Sequence, residues 1–131
     1  MNTFAYRTKC PQSFEKAYNL LIQQIEAHKF SVLHVHDIQQ KMASKSIEHG
    51  PYKIIEFCRA PVAKRILDAD PLAGVFLPCR AIVFSVDGHV EVAAMRPIVL
   101  AEYFDNTCVN DLSSHVDEDI KSIIHSLKDE K

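Results

Sequence analysis

A two-residue turn, Asp87-Gly88, is the feature of this sequence that most limits its fold. Aspartate followed by glycine favours the left-handed backbone of a type I′ turn, which joins two antiparallel strands. We therefore predict that residues 79–86 and 89–96 form one hairpin. An antiparallel pair of strands disfavours a doubly wound parallel sheet. With three glycines in all, and no Gly-rich loop after any predicted strand, the chain offers no cradle for a nucleotide phosphate.

The other periodic segments predict a sheet with helices. Apolar residues recur at helical spacing from Phe14 to Ile25, after Pro11, a residue tolerated at a helix start. The predicted elements are strand 3–8, a helix from Pro11, strand 30–36, a short helix through about residue 45, strand 52–59, a helix from Pro61, extended residues 75–77, strands 79–86 and 89–96, helical turns within 98–104, and a helix from about Asp111. We therefore predict one α+β domain over residues 1–131, in two layers, with a mostly antiparallel sheet and helices packed on one face.

Composition narrows the class of protein. The net charge is −2 and the lysines and arginines are scattered, so we expect no nucleic-acid partner and no membrane surface. The first seven residues lack the pattern of a signal peptide, and no apolar run is long enough to span a bilayer. We therefore expect a cytoplasmic protein. In that reducing compartment its four cysteines would be free thiols or ligands rather than disulfides.

The candidate site follows from the alternation of side chains along three strands. If Ile55 and Phe57 face the core, Glu56 and Cys58 point to the opposite face. If Ile82, Phe84 and Val86 face the core, Cys79 shares that opposite face, and if Leu33 and Val35 face inward, His34 and His36 join it. This reasoning predicts one cluster on the helix-free face of the sheet, made of Cys58, Cys79, His34, His36 and Glu56.

The residue types in this cluster suggest a chemistry. Thiolate and imidazole groups are the ligands that zinc and copper prefer. Cys58 also precedes the helix that begins near Pro61 and is followed by Arg59, and both features are expected to lower a thiol pKa. Each residue also has a plainer interpretation. Buried cysteines commonly serve as small apolar packing residues. His34 and His36 are more typical of a polar exposed strand face, and Glu56 of a half-exposed strand residue or a salt-bridge partner.

Several segments together resemble one protein family. They are FSVLHVHD at 30–37, GPYKIIEFC at 50–58, residues 63–67, GVFLPCR at 74–80, Arg96-Pro97 and residues 116–118. In their order and spacing they are similar to the family known as domain of unknown function 302, over nearly the whole chain. The resemblance implies a small two-layer domain with a curved antiparallel sheet, similar in plan to the TATA-binding-protein fold, and a homodimer. It places Cys58 and Cys79 within motifs and implies no activity for them.

Three hypotheses for the function stay open on the sequence alone. In the first, Cys58 and Cys79 bind a soft metal ion, zinc or copper, or a thiol-linked ligand on the open sheet face. In the second, that face is a non-catalytic dimerisation or interaction surface, where the cysteines only pack. In the third, a cysteine thiolate acts as a nucleophile with a histidine base, although no set of nucleophile, base and orienting group is visible.

Overall fold

The computed structural model describes residues 4–128 as a sheet covered by helices. Its elements are β1 (Ala5–Cys10), α1 (Phe14–Ala27), β2 (Ser31–Asp37), α2 (Ile38–Ala43), β3 (Tyr52–Cys58), α3 (Ala60–Ala69), a first 3-10 helix (Pro71–Phe76), β4 (Cys79–Val86), β5 (His89–Met95), a second 3-10 helix (Pro97–Glu102) and α4 (Thr107–His125). No helix within residues 4–128 is both long enough and apolar enough to cross a membrane.

The five strands form one antiparallel sheet in the order β1-β5-β4-β3-β2. The hairpin between β4 and β5 turns at Asp87 and Gly88, whose φ angles are 49° and 81°. Two positive φ values are the signature of a type I′ turn, and Val86 lies directly opposite His89 as that turn requires. The predicted hairpin and the predicted α+β class, with helices on one side of an antiparallel sheet, are confirmed.

α1 and α4 supply most of the apolar cover on one face of the sheet. The stripe Ala17, Leu21 and Ile25 of α1 is fully buried, as its helical spacing predicts. The main core also contains these residues from the sheet and α4: Ile55, Phe57, Ala81, Val83, Val90, Val92, Ala94, Val116, Ile120, Ile123 and Ile124. A second, smaller core joins α3, α4 and the two 3-10 helices around Ile66 and Leu100.

Several element boundaries differ from the prediction because local caps decide them. α1 begins at Phe14 rather than at Pro11, since the Ser13 side chain accepts a hydrogen bond from the Lys16 amide at 3.2 Å. The first strand is displaced toward Cys10 and pairs with β5 along its whole length, while Thr3 lies outside the described residues.

Two further helical segments differ from the prediction, and a capping side chain precedes each of them. α4 begins at Thr107, because Asn106 accepts a hydrogen bond from the Val109 amide at 3.1 Å. Residues 75–77 were predicted extended, but the first 3-10 helix runs through Phe76. This helix starts at Pro71 and is capped by Asp70, whose side chain accepts a hydrogen bond from the Leu72 amide.

A bulge in β2 overturns one predicted orientation. The register with β3 shifts between Val32 and His34, so that Leu33 is displaced and 57% exposed instead of facing inward. Val32 and Val35 take the inward positions and pack against the core. β2 is an edge strand, where such an extra residue is easily accommodated.

Candidate functional site

Cys79 lies on the helix-covered face of the sheet, so the prediction that it lies on the helix-free face is wrong. It stands directly opposite Phe57, which is 1% exposed, and it packs against the main core. Ala81 follows it on the same face and is buried. The larger Ile82 and Phe84 point to the helix-free face instead. β4 is apolar on both faces, so side-chain size gave the wrong orientation for the whole strand.

Cys58 and Cys79 nevertheless meet, because both line one cavity. Cys58 is the last residue of β3, where the chain turns into α3, and Cys79 is the first residue of the neighbouring strand β4. The cavity has a volume of about 30 Å³, room for one or two water molecules. Its other lining residues are Phe30, Phe57, Arg59, Val62, Ala63, Ile66, Leu77, Pro97, Leu100, Ser113 and Val116.

Ser113 is a polar exception in this mostly apolar lining. It lies on α4, is 1% exposed, and its Oγ has no hydrogen-bond partner among the described residues. A buried hydroxyl without a partner is destabilising by about 1–3 kcal/mol, so such groups are rare in folded proteins. The cavity therefore offers one unused hydrogen-bonding group beside two thiols.

Burial keeps both thiols protonated at neutral pH. Burial, and after it the charge of an ionised Cys58, raise the pKa of Cys79 to about 12, while Arg59 opposes the shift. Burial also raises the pKa of Cys58, with a hydrogen bond from the Arg59 backbone acting in the opposite direction. The expectation that a helix start and a cation would lower the Cys58 pKa is therefore wrong, because desolvation is the larger effect. The raised pKa values disfavour a thiolate nucleophile here at neutral pH.

The Arg59 guanidinium is largely committed to structural contacts. Its Nη2 donates to the His28 carbonyl at 2.6 Å and to Asp119 Oδ2 at 2.8 Å. It also lies over the Phe30 ring, 4.1 Å from the centroid. Its Nε is buried without a hydrogen-bond partner among the described residues. These contacts hold a positive charge at the rim of the cavity.

His34, His36 and Glu56 do lie on the helix-free face, but they do not line the cysteine cavity. The two histidine rings are 4.4 Å apart, and His36 Nε2 lies 3.5 Å from Glu56 Oε2. Arg80 Nη2 lies 3.4 Å from that same Glu56 oxygen. Within residues 4–128, no group of three or more His, Cys, Asp and Glu side chains is placed to hold a metal ion. The predicted cluster of five residues is thus divided between two surfaces.

The helix-free face has a hollow of its own. The hollow has a volume of about 260 Å³ and is lined by Phe4, Ala5, Arg7, Arg80, Ile82, Phe84, Ala93, Ala94 and Met95. Beside it, Glu91 is only 7% exposed and accepts hydrogen bonds from Arg7 and from His89 Nε2. Those two bonds, the one from Arg7 first, lower the pKa of Glu91. This carboxylate is therefore ionised and paired on both sides at neutral pH.

Sequence reasoning missed Ser113 and Glu91. Ser113 did leave a signal, because it lies within the apolar stripe of α4, between Leu112 and Val116, where a polar residue must be buried. Glu91 also left one, since it shares a strand face with Ala93 and Met95 and lies two residues from His89. The sequence could not show that Ser113 lacks a hydrogen-bond partner among the described residues, or that Glu91 has two.

Comparison with known proteins gives a family and a fold. The family model described as "Domain of unknown function DUF302" matches residues 6–127. No curated protein matches the chain. One solved structure, described as an uncharacterized conserved protein DUF302 from Bacillus stearothermophilus, superimposes with a TM-score of 0.88 at 20% sequence identity, covering 97% of this chain and 100% of that one. At that identity the likeness supports the fold alone.

Proposed function

The chain belongs to the DUF302 family, and from that premise we propose that it binds a soft metal ion, copper(I), between the thiols of Cys58 and Cys79. One observation carries the proposal. The two cysteines come from neighbouring strands, yet both line a single small cavity, where Ser113 Oγ lacks a hydrogen-bond partner among the described residues. The plainer alternative, that the thiols only pack, leaves that hydroxyl unexplained.

The size of the cavity favours an ion over an organic ligand. Pockets for small molecules usually have volumes of about 300–1,000 Å³. The cavity that both thiols line has a free volume of about 30 Å³, one-tenth of the lower bound. A single metal ion fits this space without displacing α3 or α4, whereas a thiol-linked organic ligand would have to separate them.

The number of ligands favours copper(I) over zinc. Zinc in proteins almost always has four ligands, or three and a water molecule. The cavity offers two thiols, and His34, His36 and Glu56 are not part of its lining. Copper(I) is softer than zinc, prefers thiolate ligands and is stable with two of them in a linear arrangement.

Binding would release the two thiol protons. Cys58 and Cys79 would each lose a proton as two sulfur–copper bonds form, leaving a complex with a net charge of −1. The Arg59 guanidinium at the rim would offset that charge, and the Ser113 hydroxyl would donate a hydrogen bond to a thiolate sulfur. The raised pKa of Cys79, about 12, makes this uptake depend steeply on pH.

Competition for copper(I) tests the proposal. The protein is mixed under nitrogen with a chromophoric copper(I) chelator, and the transfer of metal is read from the chelator absorbance. We expect one ion per chain, with an affinity that rises up to about 100-fold per pH unit near neutrality, because two protons leave.

A pair of double variants gives the matched control. Cys58→Ala/Cys79→Ala should abolish transfer, whereas Cys10→Ala/Cys108→Ala should keep it, since Cys10 and Cys108 do not line the cavity. Circular dichroism checks that each variant is folded. Equal transfer to both variants, or none to the wild type, would refute the proposal. In this proposal the protein acts in the cytoplasm, where reducing conditions keep thiols free.

A second candidate function is dimerisation through the helix-free face, which the hollow of about 260 Å³ favours. Its lining includes the apolar side chains of Ile82, Phe84 and Met95, together with Arg7 and Arg80. An apolar sheet face without helices is typical of a surface that binds a partner. Sedimentation at micromolar concentration tests this. We expect the wild type to be a dimer and the Ile82→Asp variant to be a monomer. A monomeric wild type would exclude this second function.

A further inference from the structure

We propose that a surface around the first 3-10 helix binds a protein segment in which large apolar side chains lie next to lysine or arginine. The surface, here called the Val75 patch, consists of Leu67, Leu72, Val75 and Tyr103. Their exposed fractions are 39%, 68%, 76% and 67%. Large apolar side chains exposed together on a small domain are characteristic of interaction sites.

Two contacts place the four residues on neighbouring segments. A Cβ atom placed on Gly74 would lie 3.4 Å from Leu67 Cδ2, so α3 adjoins the segment that carries Val75. The Phe76 ring stacks on Tyr103 with a centroid distance of 5.9 Å and an interplanar angle of 22°. The Val75 patch therefore runs from α3 across the first 3-10 helix to the end of the second.

The backbone beneath the patch is held in place before any partner arrives. Asp70 accepts a hydrogen bond from the Leu72 amide at 2.9 Å, and Ala73 is fully buried in the second core. Asn106 donates to the Ala69 carbonyl at 3.4 Å, which ties the end of α3 to the start of α4. A preformed surface binds with a smaller loss of conformational entropy than a flexible one.

The charges next to the patch are negative. Glu102 and Asp105 line, with Tyr103, a hollow of about 310 Å³. Neither carboxylate forms an ion pair with another residue in the described part of the chain. This arrangement offers a place for an ammonium or guanidinium group immediately beside an apolar surface.

The basic residues of α3 do not cancel this charge. Lys64 is paired with Asp68 at 2.8 Å. Arg65 is two positions before Leu67, a rotation of about 200° around a helix, so it points away from the patch. Anionic lipid is disfavoured by the carboxylates, whereas a basic and apolar protein segment matches both the charge and the apolar area.

The test uses a synthetic helical peptide with leucines at i, i+3, i+4 and i+7 and two flanking lysines, labelled with fluorescein. A second peptide has glutamates in place of the lysines. Fluorescence anisotropy with the full chain should show that the lysine peptide binds at least about 10-fold more tightly than the glutamate peptide, with an affinity that falls as salt is raised.

Three variants locate the binding. Leu72→Ser/Val75→Ser and Glu102→Gln/Asp105→Asn should each lower the affinity about 10-fold or more. Leu33→Ser, at an exposed leucine in edge strand β2, should leave it unchanged. Equal binding of both peptides, or an affinity that none of the surface variants changes, would overturn the proposal. Binding of the protein to phosphatidylglycerol vesicles would also overturn it, because the occupant would then be a lipid surface. A dimer that Leu72→Ser/Val75→Ser dissociates would overturn it too, because the occupant would then be a second copy of the chain.

Discussion

Replacing Cys79 by alanine should change how the stability of the protein depends on pH. Burial raises the pKa of the folded thiol from 9.0 to about 12. A group with a raised folded pKa contributes stability that is fully present below its unfolded pKa and is lost as the pH rises toward the folded pKa. The window for Cys79 therefore opens near pH 9 and closes near pH 12.

The magnitude follows from the two pKa values. At about pH 10.5 an unfolded thiol is mostly ionised, whereas the folded Cys79 is still protonated. Each pH unit within this window is equivalent to about 1.4 kcal/mol, so the wild type should lose about 2 kcal/mol from this group between pH 7.5 and about pH 10.5. The Cys79→Ala variant has no thiol at this position, so it cannot lose this contribution to stability. A variant that is less stable than the wild type by about 1–2 kcal/mol at about pH 7.5 should therefore equal it or exceed it at about pH 10.5.

Urea denaturation followed by circular dichroism gives the free energy of unfolding at each pH. Val83→Ala is the matched control, because Val83 lies on the same face of β4, is fully buried and does not titrate. Its destabilisation should be the same at both pH values. If the wild type and Cys79→Ala lose stability in parallel as the pH rises, the reasoning that burial keeps this thiol protonated is refuted.

Three further predictions concern other parts of the molecule. Glu91→Gln should lower the free energy of unfolding by about 1 kcal/mol at neutral pH in urea denaturation, because its partners Arg7 and His89 depress the Glu91 pKa. The difference should shrink as the pH falls below the ordinary carboxyl value of 4.5 and vanish once the folded carboxylate is protonated. Ser113→Ala should raise the free energy of unfolding by about 1–3 kcal/mol in urea denaturation, because it removes a buried hydroxyl that has no partner among the described residues, and it should weaken copper(I) binding several-fold in the chelator assay. Phe57→Ala should destabilise the fold by about 3–5 kcal/mol, because a fully buried ring is removed, and a loss below about 1 kcal/mol in thermal unfolding would contradict that.

The order of the elements and the α+β class could be predicted because they depend on local signals. The Asp87-Gly88 turn fixes the register of its hairpin through two positive φ angles. The stripe of α1 gives its buried face through helical spacing alone. Neither signal depends on residues far away in the chain, so both can be recognised from the sequence.

The faces of β4 could not be predicted, and the candidate site depended on them. Ala81 and Val83 alternate with Ile82 and Phe84, so both faces of the strand are apolar. The smaller pair is buried under the helices, and the larger pair faces the hollow on the other side. Composition favours the larger residues for the core, but the docking of α1 and α4 decides which face is covered.

Local patterns in the sequence are enough to place Cys58 near the end of one strand and Cys79 at the start of another, and to put His34 and His36 on one face of β2. Only the packing of distant elements brings the cysteines into one cavity with Ser113, while His34, His36 and Glu56 lie on another surface. The physical reason is that a cavity forms between elements far apart in the chain. Side-chain spacing specifies a face of one strand, whereas the volume, burial and pKa of a site depend on what packs against that face.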